Sequence, residues 1–173
     1  MSDLLTRAVA NVIPRTLAEG KLRSGKPLRV YWGIDPTGAQ LHLGHTVPLR
    51  KLKAFADAGH HAILVIGSFT AMIGDPSGRD AQREPLTREQ VEENFRTYKE
   101  QAGTIMDFSK FEVRENHEWL EKLSYEEILR HAGLFTVQQM KERAMFAERM
   151  SKGKPVSVHE FLYPLMVGYD SVI

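Results

Sequence analysis

The chain of 173 residues is 42% hydrophobic and 26% charged, with a formal net charge of +1 and no cysteine. That suffices for one α/β domain with its own core, while no apolar run reaches the roughly 20 residues of a membrane span and no disulfide can form. The small net charge argues against a large basic face for nucleic acid, and the start Met1-Ser2-Asp3 lacks the basic and apolar regions of a signal sequence, which favours the cytoplasm.

Leu4, Leu5, Ala8 and Val12 stand at helical spacing, so residues 3–20 read as a leader helix within residues 1–27, closed by Gly20 and Gly25-Lys26-Pro27. Leu28 to Ile34 is β-prone and Asp35-Pro36-Thr37-Gly38 is turn chemistry, so a strand stops at about Asp35. Beyond it Leu49, Leu52, Phe55 and Ala56 recur at helical spacing and Gly59 supplies the stop. Pro48 is cheap only in a first turn, which predicts a start near His45. The free N–H groups of that turn then lie just past the strand's carboxyl end, where open α/β sheets hold phosphates. His42 and His45, with Gly44 between them, reach the same mouth, where a histidine donor stabilises charge growing on a phosphate oxygen. The plainer alternative is a pair of surface histidines or a zinc site, incomplete with two histidines and no cysteine.

His61 to Gly67 is a continuous apolar run, as expected for a parallel strand covered on both faces, and completes a βαβ unit. It leads into a loop holding Asp75. A carboxylate there suits a cationic group such as a substrate ammonium, or is simply a turn aspartate before proline. Arg79 and Arg83 follow in a polar stretch and read on their own as solvated charges. Thr87 with Gln90 forms a capping box that starts a helix expected to run to about Asp107, and Phe111 to Arg114 is a short strand candidate. Ser124 with Glu127, Thr136 with Gln139 and Ser157 with Glu160 repeat the box and divide the last third into helices. On the final helix Tyr163, Val167 and Asp170 share one face, which reads as a pocket wall. A carboxylate beside so apolar a surface needs a donor, and a phenol hydroxyl would serve.

Asp35-Pro36-Thr37 with His42-Leu43-Gly44-His45 resembles the HIGH signature of class I aminoacyl-tRNA synthetases. Gly74-Asp75-Pro76-Ser77-Gly78 and Phe161 to Ser171 resemble, more narrowly, motifs of the bacterial tyrosyl-tRNA synthetases. The resemblance covers nearly the whole chain but only the first half or so of that family's catalytic domain. It implies a Rossmann-like class I synthetase catalytic domain, first half, with a parallel sheet and flanking helices plus a helical insertion. In that scheme residues 28–107 are the first Rossmann half, 108–156 a mainly helical insertion and 157–173 the start of the substrate-binding helix. The implied activity is ATP-dependent activation of tyrosine and its transfer to tRNA(Tyr), with magnesium accompanying ATP. Thr37, His42 and His45 would stabilise the transferring phosphates while Arg79 and Arg83 close over pyrophosphate. Gly33, Asp35 and Gly44 would shape the ATP site; Tyr31 and Asp170 would read the phenol; Asp75 and Tyr163 would hold the amino group.

Two departures stand out. Val167 occupies a position where the family usually places a glutamine that contacts the substrate amino group, and Trp32 is bulky where others carry a small residue. Arg149-Met150-Ser151-Lys152-Gly153 imitates the family's lysine signature, but lies between two helices and upstream of the substrate helix, so Lys152 reads as a solvated helix-end charge. The family's insertion contributes to a homodimer interface; Leu134, Phe135, Val137 and Met140 would face that partner or pack in the core. The alternatives are a related enzyme for tryptophan, or a half-domain that only binds ligand or dimerises.

Overall fold

The computed structural model describes residues 3–76 and 85–173. Three strands, β1 (Arg29–Ile34), β2 (His61–Ile66) and β3 (Glu112–Glu115), form a parallel sheet in the order β1-β2-β3. Arg29 pairs with His61 and Ile34 with Ile66; Ile63 pairs with Glu112 and Ile66 with Glu115. The helices are α1 (Arg15–Arg23), α2 (Leu43–Asp57), α3 (Thr70–Ile73), α4 (Arg88–Ala102), α5 (His117–Leu120), α6 (Tyr125–Ala132), α7 (Val137–Glu142), α8 (Ala144–Ser151) and α9 (Tyr163–Asp170).

Successive residues of a strand point to opposite faces, and β2 feeds two cores. Ala62, Leu64 and Ile66 join Leu49 and Leu52 of α2, Ala102 of α4, Met106 and Phe111. Ile63 and Val65 join Trp119 and Leu120 of α5, with Met166 and Tyr169 of α9 against them. Each Leu, Ile, Val or Met among them contributes about 1.5–3 kcal/mol by leaving water. The unbroken apolar run in β2 therefore has a simple cause: neither of its faces meets solvent.

Four helix-start signatures read from sequence form as reciprocal capping boxes at Thr87, Ser124, Thr136 and Ser157. The last opens a 3-10 turn, Val158–Phe161, with α9 beginning one residue later behind Leu162. Elsewhere the boundaries differ. The leader is a 3-10 turn at Asp3–Leu5 and a separate helix from Arg15, because Pro14 has no N–H to donate and its ring obstructs a preceding helical turn. The turn is tied down by Lys51, whose Nζ donates to the carbonyls of Leu4 (3.0 Å) and Arg7 (2.6 Å). Helix α2 starts two residues before the expected His45, so Pro48 lies inside it rather than in its first turn. Helix α4 stops at Ala102 instead of near Asp107, whose carboxylate accepts from Ser109 N (3.1 Å) to cap a short 3-10 turn. The short strand expected at Phe111 to Arg114 forms as β3, one residue later, within the mainly helical stretch 108–156.

The Arg149–Lys152 stretch holds a buried ion pair rather than a ligand loop. Arg149 and Glu160 are both nearly inaccessible and pair across the α8–α9 corner, where Ser157 N also donates to Glu160 (2.7 Å). Lys152 is half exposed and paired with Glu148 at 2.8 Å, as a helix-end charge should be. Among the described residues no helix is long and apolar enough to cross a membrane.

Candidate active site

A cleft of about 660 Å³ opens at the carboxyl ends of the strands, walled by the β1–α2 loop, the ends of β2 and β3, and α9. Tyr31, Gly33, Asp35, Thr37, His42, His45, Asp75, Tyr163, Val167 and Asp170 all line it. Gly44 does not, but a Cβ there would stand 2.9 Å from the His42 ring, so its bareness lets that ring lie over the helix start. Ser77, Gly78, Arg79 and Arg83 lie outside the described residues.

The helix-mouth histidines are set by the backbone. His42 is the N-cap of α2: its Nδ1 accepts from Gly44 N at 3.1 Å, while His45 Nδ1 accepts from His42 N at 3.1 Å. A backbone N–H can only donate, so each Nδ1 is an acceptor and each neutral ring carries its proton on Nε2. The rings stack with centroids 3.8 Å apart. Burial, and secondarily His42, lower the pKa of His45, in keeping with the neutral form that this capping requires. The pair thus presents two Nε2–H donors at the amino end of a 15-residue helix.

Opposite them a chain of polar side chains crosses the cleft floor. Thr70 Oγ1 donates to Asp35 Oδ1 (2.7 Å) and Tyr163 OH donates to Asp35 Oδ2 (2.6 Å). Asn116 Nδ2 donates to Thr70 Oγ1 (3.0 Å) and to Asp170 Oδ2 (3.3 Å), and Trp119 Nε1 donates to Asp170 Oδ1 (2.8 Å). The donor expected for Asp170 therefore comes first from the protein. Burial raises the pKa of Asp170, while the Trp119 and Asn116 donors pull against that rise. A carboxylate has about four acceptor sites, so two bonds leave it capacity toward the cleft. Tyr31 Oη stands on the same wall, 2.8 Å from Ser171 Oγ.

Sequence reasoning missed Gly67, Thr70, Asn116 and Trp119. A Cβ on Gly67 would fall 1.8 Å from Asp35 Oδ1 and 2.5 Å from Thr70 Oγ1, so only glycine admits the Asp35–Thr70 bond. The available signal was a glycine directly ending an apolar strand, which marks close approach. Ser68, His117 and Glu115 also cluster, but His117 Nδ1 faces both Ser68 Oγ (2.8 Å) and Glu115 Oε2 (3.3 Å). One nitrogen cannot take a serine proton and be oriented by the carboxylate, so this is no nucleophilic triad.

Comparison with known proteins gives a consistent set of likenesses. The family model described as tRNA synthetases class I (W and Y) matches residues 23–173. A tyrosine–tRNA ligase of Synechococcus sp. (strain JA-2-3B'a(2-13)) is 51% identical over 178 residues, covering 99% of this chain and 43% of that protein. One from Carboxydothermus hydrogenoformans is 48% identical, covering 98% of this chain and 42% of its own length. The crystal structure of a C-terminally truncated mitochondrial tyrosyl-tRNA synthetase of Coccidioides posadasii superposes with a TM-score of 0.80 at 26% identity, over 98% of this chain and 50% of that one. The Archaeoglobus fulgidus tyrosyl-tRNA synthetase complexed with L-tyrosine shares the fold at a TM-score of 0.75 and 23% identity, over 97% of this chain and 50% of that one. The chain thus spans less than half the length of these curated relatives.

Proposed function

The chain belongs to the class I tRNA synthetases of the tryptophan and tyrosine group, and from that membership we propose that it supplies the tyrosine-reading, phosphate-positioning half of a tyrosine–tRNA ligase centre. In this reading a carboxylate oxygen of tyrosine attacks the α-phosphorus of ATP. The bond to the β-phosphate breaks, and pyrophosphate leaves with the electron pair. The resulting tyrosyl-adenylate then passes its tyrosyl group to a terminal ribose hydroxyl of tRNA(Tyr), releasing AMP. The protein's part is positioning and charge stabilisation.

The observation that carries the reading is the placement of Asp170 and Tyr31 on one cleft wall, each already oriented by the protein. An indole N–H and a phenol O–H can both donate to Asp170. Only the phenol oxygen can also accept from the Tyr31 hydroxyl, which favours tyrosine over tryptophan. Asp75 would take the substrate ammonium, together with the oxygen of Tyr163, whose proton is committed to Asp35. The Nε2–H groups of His42 and His45, with Thr37, would meet the phosphates, while Gly33, Asp35 and Gly44 shape the nucleotide's seat. Arg79 and Arg83 would close over pyrophosphate. Magnesium is proposed to arrive with ATP as the counter-ion of its phosphates.

A homodimer belongs to the same proposal. Leu134 and Phe135 in the α6–α7 connection and Val137 at the start of α7 are exposed, as are Tyr125 and Leu129 of α6, and these apolar side chains would meet a second copy; Met140 is buried and packs inside instead. The test of the substrate reading is calorimetric titration of the 173-residue chain with tyrosine, phenylalanine, tryptophan and 3-(4-hydroxyphenyl)propionate. Saturable binding of tyrosine with phenylalanine and tryptophan excluded is expected. A folded chain that prefers tryptophan, or binds none of them, would overturn it.

A further inference from the structure

Residues 35–42 carry the signature turn and His42 through the cleft without regular secondary structure. Such a segment has few backbone partners of its own, so its polar groups must be met from elsewhere. One is internal, Thr37 N donating to Asp35 O at 2.8 Å. Others come from helix α4. Asn94, Thr97 and Gln101 recur at spacings of three and four, along one face of that helix. Asn94 Nδ2 donates to Pro36 O (2.9 Å), and the single Thr97 hydroxyl proton is shared between Ala39 O and the helix's own Asn94 O, each 2.8 Å from Oγ1. Gln101 grips the loop twice: its Nε2 donates to Ala39 O (2.8 Å) while its Oε1 accepts from Leu41 N (2.8 Å). A single side-chain amide thereby makes the pair of bonds that a neighbouring strand would make to positions two apart. Its second amide proton goes to Thr97 O at 3.1 Å, so the head group has no freedom to rotate.

None of these three side chains lines the cleft, whereas Thr37, Gly38, Gln40 and His42 of the loop they hold all do. We propose that this polar row is a backbone clamp that positions the nucleotide loop, with Gln101 as its principal positioning residue. It acts on ATP through the loop alone and touches no substrate. The inference rests on the phosphate reading of the helix mouth. It adds that affinity for nucleotide, and not for tyrosine, is set from behind by α4. The phenol wall is built on α5 and α9, and no hydrogen bond among the described residues joins the row directly to either helix; Gln101 holds the loop at Ala39 and Leu41, away from Asp35, the loop residue that bonds Tyr163 of α9.

The experiment is Gln101→Met in the 173-residue chain, close in volume but unable to make either loop bond. Amide exchange at Leu41, and calorimetric binding of ATP with magnesium and of tyrosine, are measured against the unaltered chain. Exchange at Leu41 is expected to rise at least tenfold while Ile63–Ile66 stay protected. ATP affinity is expected to fall about 10- to 100-fold, the scale on which a displaced positioning group is felt, with tyrosine affinity unchanged. Thr97→Val, which loses one hydroxyl donor and keeps its shape, should move both readouts the same way by less, and stands in if the methionine variant does not fold. Unaltered exchange at Leu41, or loosened exchange with ATP affinity unmoved, overturns the clamp, as does equal weakening of both ligands. An unaltered chain that binds no ATP removes the phosphate reading and the clamp's role in it, while the Leu41 exchange data still report separately whether α4 holds the loop.

Discussion

The two ends of the cleft are oriented by different means. At the phenol end, Asp170 is partly buried and held by the side chains of Trp119 and Asn116, both on or next to α5. At the helix mouth, His42 is exposed and His45 only partly covered, and both are held by backbone amides of the α2 cap and first turn, Gly44 N and His42 N. Long-range side-chain bonds in a half-buried setting give discrimination, since an analogue that cannot satisfy them leaves a desolvated group unpaired. Local backbone caps at an exposed helix end give orientation at little cost, but also little energy. The first end should therefore be brittle toward substitution and the second toward pH.

The largest effect is expected where the comparison is sharpest. Asp170→Asn replaces an oxygen that accepts with an amide that donates, opposing either Trp119 or Asn116 and leaving the phenol one acceptor short. Preference for tyrosine over phenylalanine in competition binding should collapse by about 100-fold or more, within the 10⁴–10⁵ that such a site can supply. Unchanged preference would place the phenol elsewhere. In the unaltered chain the raised pKa has a definite sign: tyrosine affinity should fall on acidification from a higher pH than an ordinary carboxylate, near 3.9, would give. The folded state holds this proton more tightly than the unfolded chain does. Asp170 therefore lowers stability as pH rises through its raised value, a slope that Asp170→Asn removes.

Gly67→Ala comes next. The added methyl would overlap Asp35 Oδ1 and Thr70 Oγ1, so the Asp35–Thr70 bond must open or the strand end must shift. Overpacking of this kind costs about 1–3 kcal/mol, to be read as a lowered denaturant midpoint at unchanged slope. Because Asp35 also holds Tyr163, tyrosine binding should weaken with it. Full stability in the alanine variant would mean that the approach at Gly67 is looser than 1.8 Å implies.

What sequence could and could not reveal follows the same division. The capping boxes, the buried strand β2 and the helix-mouth histidines were legible because each rests on partners three or four positions apart or on a run within one element. The leader was misread because Leu4, Leu5, Ala8 and Val12 keep helical spacing although Pro14 interrupts the segment. The floor of the cleft was not legible: Asp35 meets Tyr163 across 128 positions, and Asn116 meets Asp170 across 54. No spacing rule connects such residues; only the packing of α5 and α9 over the sheet does. Asn116 lies in a stretch that the sequence presents as a plain strand-to-helix connection.

Val167→Gln tests the amino subsite with a smaller expected effect. Val167 is 41% exposed and turns an apolar side chain to the cleft on the face that carries Tyr163 and Asp170. An amide there would give the ammonium one further acceptor, worth about 1–1.5 kcal/mol. Tyrosine should then gain roughly tenfold over 3-(4-hydroxyphenyl)propionate, which has no amino group to contact. Equal gains for both ligands would show that the position does not face the amino group.

The smallest effect belongs to the histidines, and it is where the backbone-held end can be broken without any substitution. Burial and the neighbouring His42 set the pKa of His45 below the ordinary histidine value, near 6.5. The unfolded chain therefore binds this proton more readily than the folded one. Stability from the neutral ring is fully present above the ordinary value and is lost as pH falls through the lowered one. The structural reason is in the cap: a protonated Nδ1 cannot accept from His42 N, and a charged ring beside His42 is disfavoured. An N-cap bond is worth about 1 kcal/mol, so amide exchange at His42 should accelerate roughly fivefold on acidification through that range, beyond the intrinsic pH dependence. Strand amides at Ile63–Ile66 should not follow. His45→Ala should exchange fast at every pH. If the unaltered chain showed no such step, the ring would be oriented by something other than its Nδ1 acceptor, and the assignment of a cleft-facing Nε2–H would fall with it.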